Sequence, residues 1–379
     1  TLSTSSSEAE NMFPKLKFTA EQISDYYARV TPEMVRASLT AEHGSFFDLL
    51  NLVSPEAAKP EYRAALRETA TRARRRYYGK TVSVFAPLYI SNTCVNSCRY
   101  CDFNIHHHAE RKFLTPEEID IECDVIRGYG IDALLIVAGE DPKRMTADYL
   151  CEIGRRLKKK FSYLSLEVAP QDEDAYRRLF EAGFEGLICF QETYEKDLYQ
   201  YLHPAGPKSV YDYRVWTQLR AGKAGFRTLG VAFLLGLAPW RIEAASLAAH
   251  AFYLMKECWQ SRIQFAFPRI TPVSGGFTPE HPVDETDLEQ MMLAFRIVFP
   301  ECGMTVSTRE SPSFRDAIVQ TAADNMSAGS RVTPGGYAVL ADRDVAQFTL
   351  NDSRAPAEIY QAIRRNHQEV VFKNWDNRI

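Results

Sequence analysis

The sequence predicts an α/β chain: a (β/α)8 TIM-type barrel with an N-terminal helical extension and a short C-terminal tail. Three observations predict it. From residue 81 onward, short apolar runs alternate with helical patterns eight times, the signature of parallel strands joined by crossover helices. Polar residues collect where those runs end, at Glu140, Glu167, Gln191, Glu192, Arg269, Arg309 and Glu310, and barrel enzymes carry their chemistry on that face. A length of 379 residues holds one barrel of roughly 250 residues with extensions at both ends. The expected division is residues 1–80 as the helical extension, 81–330 as the barrel and 331–379 as a tail packing on it.

Taken in order, Thr1 to Glu10 is rich in Ser, Thr and Glu and reads as disordered. Helix starts follow at Thr19, Thr31-Pro32 and Ser54-Pro55, each a hydroxyl in a capping position. Thr81 to Ile90 is the first strand. Thr115-Pro116-Glu117-Glu118 opens a helix to Arg127 through a capping box. Strands are then expected at Asp132–Val137, Tyr163–Val168, Gly186–Phe190, Arg227–Leu235, Arg262–Phe267, Met304–Ser307 and Asn325–Gly329. Helices fall between them at Thr146–Phe161, Asp172–Ala182, Val210–Ala224, Ile242–Trp259, Asp284–Val298 and Ser313–Ala322, and one helix, Ala355–Asn366, lies in the tail.

A net charge of −4 gives no electrostatic reason for nucleic acid as a partner. No apolar stretch approaches the roughly 20 residues of a membrane span, and no signal-peptide pattern opens the chain. Eight cysteines in a chain of this length do not form a disulfide framework. Cys123, Cys151, Cys189, Cys258 and Cys302 stand singly among apolar neighbours and read as core. A reducing cytoplasm is the expected location.

The other three cysteines are grouped as Cys94-Val95-Asn96-Ser97-Cys98-Arg99-Tyr100-Cys101 on the loop that follows the first strand. Thiolates select zinc or iron–sulfur clusters. Structural zinc and [4Fe–4S] sites take four protein ligands as a rule. Three local cysteines with no second CxxC pair leave one metal position open for chemistry; three buried cysteines, or a three-ligand zinc site, are the competing accounts. The spacing, with Phe103 two residues past the last cysteine, resembles the loop of the radical S-adenosylmethionine (SAM) enzymes. That resemblance implies a [4Fe–4S] cluster on Cys94, Cys98 and Cys101 whose fourth iron chelates SAM, and a 5′-deoxyadenosyl radical produced from it.

Further stretches narrow the resemblance. Ala86-Pro87-Leu88-Tyr89-Ile90-Ser91-Asn92, Gly139-Glu140, Gln191-Glu192-Thr193-Tyr194, His203-Pro204, Gly206-Pro207-Lys208, Pro268-Arg269, Ser307-Thr308-Arg309-Glu310, Phe314-Arg315 and Gly335-Gly336-Tyr337 are similar to those of the aromatic amino acid lyases of that superfamily, and above all its tyrosine lyases. One tyrosine lyase serves thiamine thiazole biosynthesis and another matures [FeFe]-hydrogenase. The maturase carries a second cluster on later cysteines, whereas the last cysteine here is Cys302. The ending Phe372-Lys373-Asn374-Trp375-Asp376 resembles the thiamine enzyme. The implied reaction cleaves the Cα–Cβ bond of L-tyrosine to 2-iminoacetate and p-cresol. Tryptophan or another aromatic amino acid is the rival substrate, and a maturase-like tyrosine lyase without the second cluster the rival relative. The implied partners are a thiazole synthase and reduced flavodoxin or ferredoxin.

Site residues follow from the substrate's chemistry and from the resemblance. A carboxylate calls for the bidentate fork of an arginine, and Arg309 matches the arginine that holds it in the family. Glu140 is placed like the residue that meets the methionyl amino group of SAM, and Glu167 and Gln191 are candidates for its ribose. Gly230 to Gly236 would let backbone approach adenine, and Arg269 is a further contact. Tyr89 and Phe103 are candidates to pack on the substrate ring or adenine, and His203 to move a proton to or from the phenol. His106-His107-His108 reads as a solvated loop. Two departures from the family stand out: Asp102 follows the third cysteine in place of the usual Gly, and Pro268-Arg269-Ile270-Thr271-Pro272 lacks the usual second arginine.

Overall fold

Residue 81 begins a strand with ten buried or half-buried positions in a row behind it, too apolar for an edge and suited to a barrel wall. The computed structural model describes residues 18–107, 110–271, 276–339 and 346–372. Four helices come first: α1 (Ala20–Tyr27), α2 (Pro32–Thr40), α3 (Phe46–Val53) and α4 (Pro60–Tyr78). Thr19 caps α1 through a box with Gln22, and Thr31 caps α2. The expected start at Ser54 is a stop. Ser45 opens α3 in a box with Asp48, and the Ser54 hydroxyl donates to the Asn51 carbonyl at 2.7 Å, closing α3. Pro60 then begins α4.

The barrel follows as β1 (Thr81–Ser91), α5 (Pro116–Gly128), β2 (Ala133–Ala138), α6 (Ala147–Leu157), β3 (Tyr163–Glu167), α7 (Glu173–Glu181), β4 (Gly186–Ile188), α8 (Lys196–Leu202), α9 (Tyr211–Val215), α10 (Thr217–Lys223), β5 (Thr228–Val231), α11 (Trp240–Glu257), β6 (Arg262–Ala266), α12 (Glu285–Val298), β7 (Gly303–Val306), α13 (Pro312–Thr321) and β8 (Asn325–Ser327). Each strand pairs in parallel with the next, and β1 pairs with both β2 and β8, so eight strands close on themselves. Helix α5 starts with the expected box between Thr115 and Glu118. The single helix expected over 210–224 is broken at Trp216, whose φ of −91° and ψ of 4° separate α9 from α10. The strand expected at Asn325–Gly329 is β8, whereas helix α8 was not legible in the sequence.

Beyond β8 come α14 (Pro356–Arg365) and β9 (Glu369–Val371). Strand β9 pairs with Thr81–Ser83, the opening of β1, ahead of the point where β2 joins at Ala86. Arg315 on α13, itself fully buried, pairs with Asp352, which also takes Arg354 at 2.7 Å, so the tail is tied to the barrel by charge as well as packing. One apolar core runs through all of this, from Ile23 on α1 to Ile363 on α14. The expected disordered Thr1–Glu10 and residues 373–376 of the ending lie outside the described residues. Among the described residues no helix is long and apolar enough to cross a membrane.

Candidate active site at the strand C-termini

The cysteine loop leaves the barrel at Ser91 and returns at Phe113, where the two residues form an antiparallel bridge. Asn92 ties the neck: its Nδ2 donates to the Glu110 carbonyl at 2.8 Å, and its Oδ1 accepts from the Lys112 amide at 2.7 Å. Arg111 spreads its guanidinium over four carbonyls of the loop, those of Asn92, Phe103, Asn104 and His107, at 2.5 to 3.0 Å. A rigid five-donor fork is the one side chain able to bind so many acceptors at once. The loop also rests on two glycines. A Cβ on Gly139 would lie 2.4 Å from the Thr93 carbonyl oxygen, and one on Gly206 2.3 Å from Asn96 Oδ1. The second contact explains the Gly206-Pro207-Lys208 stretch, whose Lys208 amide donates to the same Asn96 oxygen at 2.9 Å.

All three cysteines of the loop are free thiols; Cys98 is buried, Cys94 and Cys101 half-buried. Burial pushes the Cys98 thiol up to about 12. Two amides face the sulfurs: Asn96 Nδ2 lies 3.5 Å from Cys94 Sγ and Gln347 Nε2 3.8 Å from Cys101 Sγ. Amide donors of this kind stabilise charge on sulfur and tune a bound metal. Among the described residues no three His, Cys, Asp or Glu side chains are drawn together as a single-ion site. Three thiols on one loop, two of them faced by amide donors, are a donor set that fits an iron–sulfur cluster. Gln191 is buried with both amide atoms unpartnered among the described residues, a costly state that a ligand would relieve.

A cavity of about 440 Å³ opens beside the loop and runs down the barrel axis. Tyr89, Tyr100, Cys101, Glu167, Glu192 and Arg309 all line it. Arg309 is partly shielded, its guanidinium 3.4 Å from the Phe348 ring centre and its Nη1 donating to the Arg269 carbonyl at 3.3 Å. No carboxylate pairs with it among the described residues. Burial lowers its pKa, against the pull of Tyr89 and Glu167. Arg269 is differently placed: it forks onto the buried Glu310 and donates to the Val283 carbonyl.

Tyr89 donates its hydroxyl to Gln347 Oε1 at 2.7 Å and meets Phe103 edge-on at 6.0 Å between ring centres. Glu140 accepts from Asn96 Nδ2 at 2.7 Å, next to Cys94. Glu167 and Gln191, expected as a pair, are divided by the geometry: Glu167 lines the cavity and Gln191 does not. Gly230 packs on Ile188, and Gly236, at φ 114°, packs on Pro279 and Ile270. His203 does not reach the cavity. It is fully buried behind Tyr100, with Nδ1–H on the Tyr199 carbonyl at 2.7 Å and Nε2 accepting from the Tyr100 hydroxyl at 2.7 Å. Burial drives its pKa down to about 3, so it stays neutral. Asp102 is buried with an oxygen 3.7 Å from His107 Nε2, while His106 is exposed and His108 lies outside the described residues. Thr271 lines the cavity with its hydroxyl unpartnered, and Pro272 lies outside the described residues.

A charged trio was missed as a unit. Glu192 Oε1 accepts from Lys208 Nζ at 2.7 Å and Arg214 Nη2 at 3.4 Å. Burial works to raise the Glu192 carboxyl, but the two cations outweigh it and hold it below the usual range. Its backbone φ is 73°, a conformation a non-glycine residue keeps where the surroundings insist on it. Glu192 and Lys208 stood within recognisable stretches; nothing in the sequence pointed to Arg214.

Residues 88–245 match the Radical SAM superfamily, and residues 266–369 match the Biotin and Thiamin Synthesis associated domain. The chain is 38% identical over 344 residues to 2-iminoacetate synthase from Salmonella typhimurium, covering 90% of each chain. It is 37% identical over 344 residues to 2-iminoacetate synthase from Escherichia coli, again covering 90% of each. Among solved structures, the FeFe-hydrogenase maturase HydG from Carboxydothermus hydrogenoformans is 28% identical, with a TM-score of 0.89 over 98% of this chain and 86% of that one.

Proposed function

The chain belongs to the 2-iminoacetate synthase family of radical SAM enzymes, and from that premise we propose that its cavity breaks the Cα–Cβ bond of L-tyrosine. The carbon skeleton leaves as 2-iminoacetate (dehydroglycine), for thiamine thiazole synthesis, and p-cresol. Cys94, Cys98 and Cys101 would hold one [4Fe–4S] cluster per chain. Glu140, Gln191, Phe103 and the backbone around Gly236 would hold SAM, with Arg269 bracing that rim through Glu310. When bound, the cluster and SAM together supply a 5′-deoxyadenosyl radical and so the hydrogen abstraction.

The chain's own task is to bind and orient. Arg309 fixes the substrate carboxylate, and a fork holds it in one orientation where a point charge would let it swing. Tyr89 is pinned by Gln347 and Phe103 as a wall for the substrate. His203 orients the Tyr100 hydroxyl away from the cavity, so that it does not compete for polar groups of the ligand. Leu234, Phe267, Ile270 and Val332 add apolar lining to the cavity, which favours exclusion of water. A flavodoxin or ferredoxin as electron donor, a thiazole synthase as recipient of the product and a cytoplasmic location complete the proposal.

The observation that carries this reading is Arg309: a guanidinium that pairs with no carboxylate among the described residues and lines the same cavity as Cys101 of the thiol loop. The test is anaerobic incubation of the iron-reconstituted protein with SAM, dithionite and each aromatic amino acid in turn. Tyrosine should give p-cresol and 5′-deoxyadenosine. Turnover of tryptophan in its place would refute the substrate assignment.

A further inference from the structure

Five acidic side chains line the cavity, and four are already paired. Glu192 holds Lys208 and Arg214, Glu310 holds Arg269, Asp324 holds Arg296 at 2.6 Å, and Glu185 holds Arg227 at 3.4 Å. The fifth, Glu167 at the end of β3, has no hydrogen bond or ion pair among the described residues. Glu167 is half-buried, and a carboxylate that has lost part of its hydration without gaining a partner costs free energy. Such a group persists where a ligand completes it or a proton is exchanged.

Arg309 is the complementary case on the same cavity, and the two feel one another: each is among the charges that shift the other. Among the described residues Arg262 also lines the cavity without an ion pair, but it opens β6 at the far end of the barrel; at the strand C-termini an unpaired cation and an unpaired carboxylate share one cavity, the complement of a zwitterion. An α-amino acid presents its carboxylate and ammonium on a single carbon. We propose that Glu167 receives the α-ammonium of the substrate while Arg309 holds its carboxylate, and that Glu167 then takes one proton from that ammonium.

The step moves a proton and no electrons. One N–H bond breaks and one O–H bond forms, leaving a neutral amine and a carboxylic acid. The freed nitrogen lone pair is what the C=N bond of 2-iminoacetate requires, so the role rests on the tyrosine-lyase reading. Burial pushes the Glu167 carboxyl up to about 7, which suits an acceptor of this proton better than an ordinary carboxylate. Glu167 thereby serves the substrate and not the ribose of SAM.

The experiment uses cluster-loaded protein with SAM and no reductant, so that binding is read without turnover. Tyrosine is compared with 3-(4-hydroxyphenyl)propionate, which lacks the amine. The parent should bind tyrosine about ten- to a hundredfold more tightly, the range for a hydrogen bond to a charged group. Glu167→Gln should bind the two alike, with SAM affinity and iron content unchanged, and Glu167→Asp should recover part of the preference. The parent's tyrosine affinity should fall as pH drops through about 7 and the Glu167 carboxylate is lost. The charges facing it, Glu192, Arg309, Arg214 and Lys208, keep their state there, and Tyr89 stays neutral. A Glu167→Gln protein that still prefers tyrosine as the parent does overturns the inference. So does one that loses SAM affinity with that preference intact, which would return Glu167 to the ribose. A parent that binds neither compound fails the lyase reading itself.

Discussion

Arg269 and Glu310 close on one another in a two-point ion pair, Nε to Oε1 at 3.0 Å beside an Nη2–Oε2 contact. Both groups are thereby consumed. Adjacent arginines at the ends of neighbouring strands are thus differently engaged: one braces the rim, and the other, Arg309, rests on the first one's carbonyl and pairs with no carboxylate among the described residues.

Arg309→Lys keeps the charge and loses the fork. p-Cresol formation should fall about a hundredfold, the cost of a misoriented reactant, with 5′-deoxyadenosine in excess and iron content unchanged. Arg269→Met should behave differently: it strands a buried Glu310 and should cost about 3 kcal/mol of stability, read as a lower Cm in urea. Equal p-cresol yields from Arg309→Lys and the parent would remove Arg309 from the site.

Alanine at Cys94, Cys98 or Cys101 should abolish SAM cleavage, because two thiolates do not hold the cluster. Iron near four per chain is expected for the parent. About eight would reveal a second cluster, and the five other cysteines, all buried singly, would need to be searched again.

His203 should act on stability in acid and not as a titrating catalyst. Its folded pKa of about 3 lies below the ordinary 6.5, so between those values the unfolded chain binds the extra proton. Its contribution is whole above pH 6.5 and is lost as pH falls toward 3. From pH 6.5 to about pH 5 that amounts to about 1.5 kcal/mol. His203→Gln should therefore flatten the acid side of a stability–pH curve. A kinetic limb near pH 6.5 that vanishes in this variant would instead return His203 to proton transfer.

Much of the barrel was legible because each signal was local. Thr115 with Glu118 announces α5, and strands such as Ala133–Ala138 are continuous apolar runs bounded by turns. What failed was set by partners far along the chain. Ser54 carries the same residue type for closing a helix as for opening one, and only its bond to the Asn51 carbonyl decides. Strand β9 has three residues and exists because β1 leaves its first residues unpaired by β2. In the site, residue types were legible and pairings were not. Arg269 and Arg309 read alike in sequence, and a carboxylate 41 positions away separates them. His203 looked available for proton transfer because nothing local says that Tyr100 stands in front of it.

Gly139→Ala tests whether the cysteine loop is held by shape. The backbone of Gly139 needs no positive φ, so the residue type is set by space alone. The added Cβ would stand 2.4 Å from the Thr93 carbonyl oxygen and 3.1 Å from Cys94 Cβ. The first neighbour is backbone and cannot swing aside, so the loop must shift at its first thiol. The Gly139 amide also donates to the Ser91 carbonyl at 3.0 Å, which ties β2 to the point where the loop departs. The strain should therefore fall on the loop, while the barrel, closed by eight parallel pairings, folds with the parent's circular dichroism. Iron incorporation should drop by more than half, and residual activity should track the iron retained. An alanine variant with full iron and the parent's rate would show that the loop yields freely, and that the close contact with Thr93 is not what positions Cys94.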